Sequence, residues 1–401
     1  MTVPMPWRWT MARTARLLAL ALASVLAVGA CSSAPSSSGP GPGSSAPAAT
    51  APAPGAAAVN GDGSVDGEEA ANATSVADCG TPPAASTTPG AAAAVLEATQ
   101  SFLALLDASQ RAAVSGERTP QNLGQWSNLP DDLFDRQGLR VDALDAGQQA
   151  AAFGVLRAAL SPEGYEQVRQ ITTGDGVLAS TTGSDQGFGA THYWFRILGT
   201  PGPSGPWTVQ YGGHHLALNI TVDGGAMTLA PTFWGAQPSS YTAAGTSAEP
   251  LCGETTRAFA MMGALDATQQ QQALLDTPVT DLVLGAGRDG RTLAPEGVSA
   301  ATFTPEQQRL LLDLVGEWIR PLHGEQAAPK LAAVEQNLAS TTFAWSGATT
   351  IGEPVYYRVQ GPTFVIEFAH QQGGGFASGG ITHIHAVYRE PGSDYVARPG
   401  R

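Results

Sequence analysis

Four of the chain's seven histidines stand in two short segments. One is Gly212-Gly213-His214-His215-Leu216-Ala217-Leu218-Asn219, the other His383-Ile384-His385-Ala386-Val387-Tyr388-Arg389. Both alternate and are rich in apolar residues, the pattern of β-strands. Residues i and i+2 share one face of a strand, so His383 and His385 present two imidazoles side by side. His214 and His215 point to opposite faces unless the backbone turns, and Gly212-Gly213 is where it can. Three or four imidazoles brought together suit zinc, copper or another borderline divalent metal. Glu367 and His370, on the strand before His383, are candidate accessory ligands or partners of ligands. The competing reading is structural: each histidine bonded to a backbone carbonyl, with no ion. His192 and His323 stand alone and read as structural or exposed.

Other chemistry is sparse. Arg196 and Arg358 each precede a glycine by three residues, and each can bind a ligand carboxylate or pair with an acid at the sheet edge. No nucleophile elbow, Walker loop, dinucleotide fingerprint or zincin helix occurs. A cupin pattern comes close, with His383, His385 and Glu390 against Gly212, His215 and Asn219. Its two motifs stand in reversed order and its flanking glycines are misplaced, so it reads as coincidence.

The elements that must position these residues occur twice. Leu106-Asp107-Ala108-Ser109-Gln110 matches Leu265-Asp266-Ala267-Thr268-Gln269, an offset of 266 − 107 = 159. Gln148-Gln149 matches Gln307-Gln308, and Glu166-Gln167 matches Glu325-Gln326, at the same offset. Leu178–Thr182 recurs as Leu338–Thr342 at 160, and Arg196 and Gly199 recur as Arg358 and Gly361 at 162. A near-constant offset kept in order points to an internal duplication. Each half begins with helices, near Ala94–Val114 and Gly147–Leu160, then near Thr256–Leu275 and Pro305–Ile319. In the last of these, Leu311, Leu314, Val315, Trp318 and Ile319 fall on one face. Strands follow: Tyr193–Leu198, Trp207–Tyr211, His214–Val222 and Ala226–Phe233, then Val355–Gln360, Phe364–Phe368 and His383–Arg389. The predicted fold is α+β, with an antiparallel sheet in each half and pseudo-twofold packing of residues 93–245 on 246–401.

Outside this region the chain reads differently. Arg8, Arg13 and Arg16 precede an apolar run from Leu17 to Ala30, a signal peptide over residues 1–30. It ends in Val28-Gly29-Ala30-Cys31, which resembles a bacterial lipoprotein signal with Cys31 as the lipidated residue. The expected location is extracytoplasmic, anchored to the bacterial membrane by lipid. Residues 31–92, mainly Ala, Pro, Ser, Gly and Thr, read as a tether too polar and small to form a core. Removing residues 1–30 leaves 17 basic residues (20 − 3) against 34 acidic, a formal charge of −17. That excludes nucleic acid as a partner and leaves a small molecule or metal ion. Cys79 and Cys252 are the two remaining cysteines, and in an oxidising compartment they are expected to form a disulfide.

Gly213-His214-His215-Leu216-Ala217-Leu218-Asn219, Tyr356-Tyr357-Arg358-Val359-Gln360-Gly361-Pro362 and His383-Ile384-His385-Ala386-Val387-Tyr388-Arg389-Glu390-Pro391 together resemble a secreted bacterial family, domain of unknown function 3500. The resemblance covers about residues 95–395. It implies no activity, substrate or site. The residues themselves leave three readings, of which one is a structural surface module with buried histidines. Another is metal-dependent hydrolysis at a histidine site, with Glu367 as base. The third is non-catalytic capture of a small ligand or metal ion at the cell surface.

Overall fold

A computed structural model describes Cys79 and residues 88–182, 187–351, 353–372 and 381–397. The signal segment, Cys31 and nearly all of the tether lie outside the described residues. So does the segment between Gln372 and Ile381, just before His383. The described residues belong to one compact unit, Val59–Arg401.

Six longer helices are α1 (Ala91–Leu105), α2 (Ala146–Ala159), α3 (Pro162–Thr182), α4 (Cys252–Ala264), α5 (Pro305–Ile319) and α6 (Gly324–Gln336). None of the described helices is long and apolar enough to cross a membrane. The first expected helix of each half is split in two, and the repeated Leu-Asp-Ala-(Ser/Thr)-Gln motif is the break. Asp107 and Asp266 leave the helical conformation and cap the short helices Ala108–Val114 and Ala267–Ala273 in capping boxes with Gln110 and Gln269. An aspartate side chain that satisfies free N–H groups favours a new start over continuation. Thr304 caps α5 as its sequence predicts, with Pro305 at the first turn and Gln307 closing the box.

Eight longer strands are β1 (Trp194–Leu198), β2 (Pro206–Gly212), β3 (Leu216–Asp223), β4 (Thr232–Ala236), β5 (Thr342–Gly347), β6 (Val355–Gln360), β7 (Val365–Gln372) and β8 (Ile381–Arg389). They form one continuous sheet in the order β1-β2-β3-β4-β8-β7-β6-β5, with two-residue strands at both edges. The fold is therefore mixed α+β, and the strands of both sequence halves share one sheet. Its middle is the antiparallel pair β4–β8, with His385 opposite Gly235 and Ala386 opposite Trp234.

The sheet has two unlike faces because side chains alternate. One carries Phe195, Tyr211, Leu218, Trp234, Ala386, Phe368, Tyr357 and Trp345. These form one core with Val95, Phe102, Leu156, Leu311, Leu314 and Trp318 of the helices. The other face, the polar one, carries most of the buried charged and amide side chains around a small apolar cluster of Ala217, Phe233 and Val387. Register places Arg196, Gln210 and Asn219 on one rung, and Arg358, Glu367 and Val387 on another. Residues 117–137 and 276–297 cover it. Trp126 stacks on Phe233, and Gln210 donates to the Leu123 carbonyl.

Two sequence expectations change here. His214 and His215 precede β3 rather than opening it. Arg196 and Arg358 are not equivalent: Arg196 sits on β1 opposite Gln210, whereas Arg358 sits one strand farther in, between Ala344 and Glu367. The sequence offset of 162 aligned the residue types without the register of the strands. Likewise Leu178–Thr182 is the end of α3, while Thr342 already begins β5.

Candidate metal centre

The hairpin between β2 and β3 turns over Gly213-His214-His215-Leu216, closed by the Gly213 N–H donating to the Leu216 carbonyl at 2.9 Å. Both glycines are sterically required. A Cβ on Gly212 would lie 2.5 Å from the Leu216 oxygen, and one on Gly213 2.7 Å from the His192 oxygen. The turn lets adjacent histidines face one carboxylate. His215 Nδ1 is 2.6 Å from Asp175 Oδ1, and His214 Nδ1 is 3.1 Å from Asp175 Oδ2. Tyr193 donates its hydroxyl to Asp175 Oδ2 at 2.5 Å. Asp175 comes from α3, where it occupies the buried stripe Val168, Ile171, Asp175, Leu178.

His383 and His385 project from β8 on the polar face, with ring centroids 4.3 Å apart. His383 Nε2 lies 3.1 Å from His215 Nε2. His385 Nδ1 lies 3.1 Å from Asp281 Oδ1, carried by the covering segment. β4 stands between β3 and β8, so a side chain there would separate the histidines. The residue at that point is Gly235, whose added Cβ would meet His215 Cδ2 at 3.0 Å. Its missing side chain is the space that the His215 ring fills.

Two groups of potential ligand atoms result, each with its atoms within 4.8 Å of one another: His215, His383 and His385, and Asp175, His214 and His215. The first has the stronger chemistry. With Asp175 taking the Nδ1–H of His215 and Asp281 that of His385, each Nε2 lone pair points into the cluster, that of His215 toward His383 Nε2. Ions with metal–nitrogen bonds near 2.0–2.1 Å hold tetrahedral nitrogens about 3.3 Å apart, close to the His215–His383 spacing. His214 belongs to the second group, its ring stacked on Phe188 at 4.8 Å.

The electrostatics agree with ligation. Burial pushes the His215 imidazole down to about 4, and the charge of His214 adds to this. Burial, and then the neighbouring His215, His385 and His214, hold His383 far below the ordinary imidazole range. Both rings are therefore neutral at pH 7, the form that binds metal. Burial alone would raise the Asp175 carboxyl, but the charges and hydrogen bonds of His214 and His215 hold it well below the usual range. Burial, followed by Asp175, raises Tyr193 well above its normal value, so it remains a donor.

The other sequence candidates lie elsewhere. Glu367 shares the polar face but is fully engaged: it accepts from Val283 N at 2.9 Å, Leu284 N at 2.6 Å and Tyr356 OH at 2.6 Å. It anchors the covering segment and is neither ligand nor free base. His370 pairs in register with Ile384 and faces the helices, opposite His383 and His385. Arg358 is ion-paired with Glu296 at 2.5 Å, and Arg196 donates to Asn122. Cys79 and Cys252 are joined in a disulfide, with Cys252 at the start of α4. Asp175, Asp281 and Gly235 were absent from the sequence candidates. Asp175 left a signal, a charged residue on a helix's apolar stripe. Asp281, in an irregular segment, left none.

No curated protein and no solved structure matches the chain. The pattern of one family, described as a protein of unknown function, spans residues 88–397 and takes in every residue of the cluster. The chain is a member of that family, DUF3500.

Proposed function

We propose that this protein binds a divalent metal ion through His215, His383 and His385, oriented by Asp175 and Asp281. The observation that carries this reading is the convergence of three imidazoles, two of them backed by carboxylates on Nδ1. Imidazole donors favour zinc or copper over magnesium or calcium. The protein acts outside the cytoplasm as a lipoprotein anchored through Cys31, a reading supported by the sequence Val28-Gly29-Ala30-Cys31 behind an apolar segment. The domain also derives from an internal duplication. Support comes from Gln148 bonding Gln110 as Gln307 bonds Gln269, residues each separated by 159 (269 − 110).

Three neutral ligands leave a coordination position for water or a substrate oxygen, the layout of hydrolytic zinc sites. Metal-dependent hydrolysis is the activity class this supports. The second reading is non-catalytic metal or ligand capture. It is favoured by the engagement of Glu367, which removes the base that the sequence offered.

Elemental analysis of protein purified under metal-replete conditions tests the site. About one equivalent of zinc or copper is expected in the wild type, and less than about a tenth of that in His383→Ala/His385→Ala. A metal-free wild type overturns the proposal. Fractionation of cells expressing Cys31→Ser tests the anchor, with release from the membrane fraction as the expected result. Turnover of generic ester and phosphoester substrates by metal-loaded but not stripped protein separates hydrolysis from capture.

A further inference from the structure

Where the start of α4 meets the end of α5, four charged residues stand together: Glu254, Arg257, Glu317 and Arg320. The offset of 159 that relates Gln269 to Gln110 relates these four to Val95, Ala98, Ala158 and Ser161, around the contact of α1 with α2. One helix pair is uncharged where the other carries four charges. That comparison rests on the duplication; the cluster itself does not.

The backbone makes room for the cluster. A Cβ added to Gly253 would collide with the Glu317 carboxylate, and one added to Gly316 with the Arg320 guanidinium. The Glu317 side chain therefore lies against the first turn of α4. Arg257 Nε is 3.1 Å and Arg320 Nη1 3.7 Å from the same Glu317 oxygen, so both cations serve Glu317. Glu254 is 2% exposed and accepts from Gln167 Nε2 of α3 at 2.6 Å. The Tyr357 hydroxyl of β6 donates to the Glu254 backbone carbonyl at 3.1 Å. The groups around the Glu254 carboxyl are thus Glu317 with Arg320 and Asp313 on α5, Arg257 on its own helix, Gln167 on α3 and Tyr357 on β6.

Two carboxylates in one buried place do not both ionise without cost. Burial, and then Glu317, raise the Glu254 carboxyl to about 8. Burial raises Glu317 as well, but Arg257 and Arg320 act against it. Glu317 thus keeps the charge and Glu254 the proton.

We propose that the junction of α3, α4 and α5 is a proton-sensitive lock, closed while Glu254 holds its proton and loosened at the first turn of α4 when that proton leaves. Once α4 opens, Glu254 returns to ordinary carboxyl behaviour near 4.5 and gives up its proton to water. Opening therefore becomes easier as pH rises from about 4.5 to 8, and acid tightens the lock. The same turn carries Cys252, where Cys79 is tied to the domain. The lock is separate from the metal centre: Tyr357 faces the helices, whereas His383 and His385 face the other way.

Hydrogen exchange of the α4 amides at pH 6, 7 and 8, in wild type and Glu254→Gln, tests the lock. The glutamine keeps the shape of the protonated acid and its bond from Gln167, but cannot ionise. The ratio of wild-type to variant protection should fall by up to about tenfold per pH unit. The infrared carbonyl band of a protonated buried carboxyl should be present in wild type at pH 6, fade around pH 8 and be missing from Glu254→Gln. Glu317→Gln removes the like charge and serves if Glu254→Gln does not fold; it should move the fading to lower pH. A protection ratio that does not change with pH overturns the proposal. So does a carboxyl band unchanged in Glu254→Gln, or one whose fading stays in place in Glu317→Gln.

Discussion

At the scale of single residues, Asp175 holds the cluster together by accepting from His214, His215 and Tyr193 at once. Asp175→Asn keeps the size but removes the charge that orients both imidazoles. Loss of a carboxylate behind a ligating histidine typically weakens metal binding about 10–100-fold. A competition titration with a chromophoric chelator should show that loss. Asp281→Asn should cost less, because Asp281 is half exposed and supports one ring only. Equal affinity in wild type and Asp175→Asn would remove Asp175 from the orienting role. The buried histidines also predict a pH dependence. His215 titrates near 6.5 when unfolded and about 4 when folded. Between these values the unfolded chain binds more protons at this site, so the contribution of His215 to metal-free stability falls as pH drops below about 6.5. His215 alone contributes up to about 1.4 kcal/mol per pH unit in that window. His383, depressed further, acts in the same direction. Asp175 and Asp281, both lowered, contribute only below the unfolded carboxylate value of 3.8. Burial, and then Glu317, raise the Glu254 carboxyl to about 8, which acts the opposite way between about 4.5 and 8. Urea midpoints of Glu254→Gln, which removes that opposition, should fall from pH 7 to 6 to 5. A flat series would mean that the rings are not buried neutral.

At the scale of elements, the polar face of the sheet is completed by largely irregular chain, with one four-residue helix at Pro120–Leu123. Glu367 fixes the segment that carries Asp281 through the Val283 and Leu284 amides, and Arg389 fixes it through the Leu284 and Gly285 carbonyls. Glu367→Ala strands two amide N–H groups and the Tyr356 hydroxyl in a buried place. The expected cost is on the order of 3 kcal/mol. Metal affinity should also drop, because His385 loses a firmly held partner. Denaturant unfolding and metal titration of the variant check both effects, and an unchanged midpoint would deny Glu367 its anchoring role. The helical elements were more readable. The Thr304-Pro305 start of α5 and its apolar stripe could be assigned by spacing alone. The breaks at Asp107 and Asp266 were missed, because the apolar pattern continues across them while the cap acts on the backbone.

At the scale of the whole molecule, one sheet joins both halves of the chain, and the β4–β8 pair at its middle brings residues about 170 apart into one cluster (383 − 215 = 168). The Cys79–Cys252 disulfide closes a separation of 173 residues and ties the chain before α1 to the start of α4. Removing a native disulfide of this kind costs about 2–4 kcal/mol. Cys79→Ser/Cys252→Ser should melt several degrees lower than the oxidised wild type. Added reductant should lower the wild type to the same point and leave the variant unmoved. A variant that melts with the oxidised wild type would show that the bond adds no stability.

Local patterns along the chain are enough for the α+β class, most strand positions, the capped start of α5, the disulfide pair and the grouping of four histidines. These follow from local periodicity, turn chemistry and cysteine arithmetic, which act over a few residues or need only a count. Gly212-Gly213 mark where the backbone can turn both histidines toward one site, and the hairpin turns there. Which partners those histidines meet follows from the three-dimensional fold. Asp175 reaches them from a helix some forty residues earlier, and Asp281 from an irregular segment about a hundred residues before His385. Strand order inserted β4 between the histidine-bearing elements, and Gly235 left the gap through which His215 reaches His383. Strand register also sent Glu367 to the covering segment and His370 to the opposite face. Alternation and turn chemistry set the register of neighbouring hairpins, but the pairing of β4 with β8, strands about 150 residues apart, comes from packing across the whole sheet and is written in no local pattern.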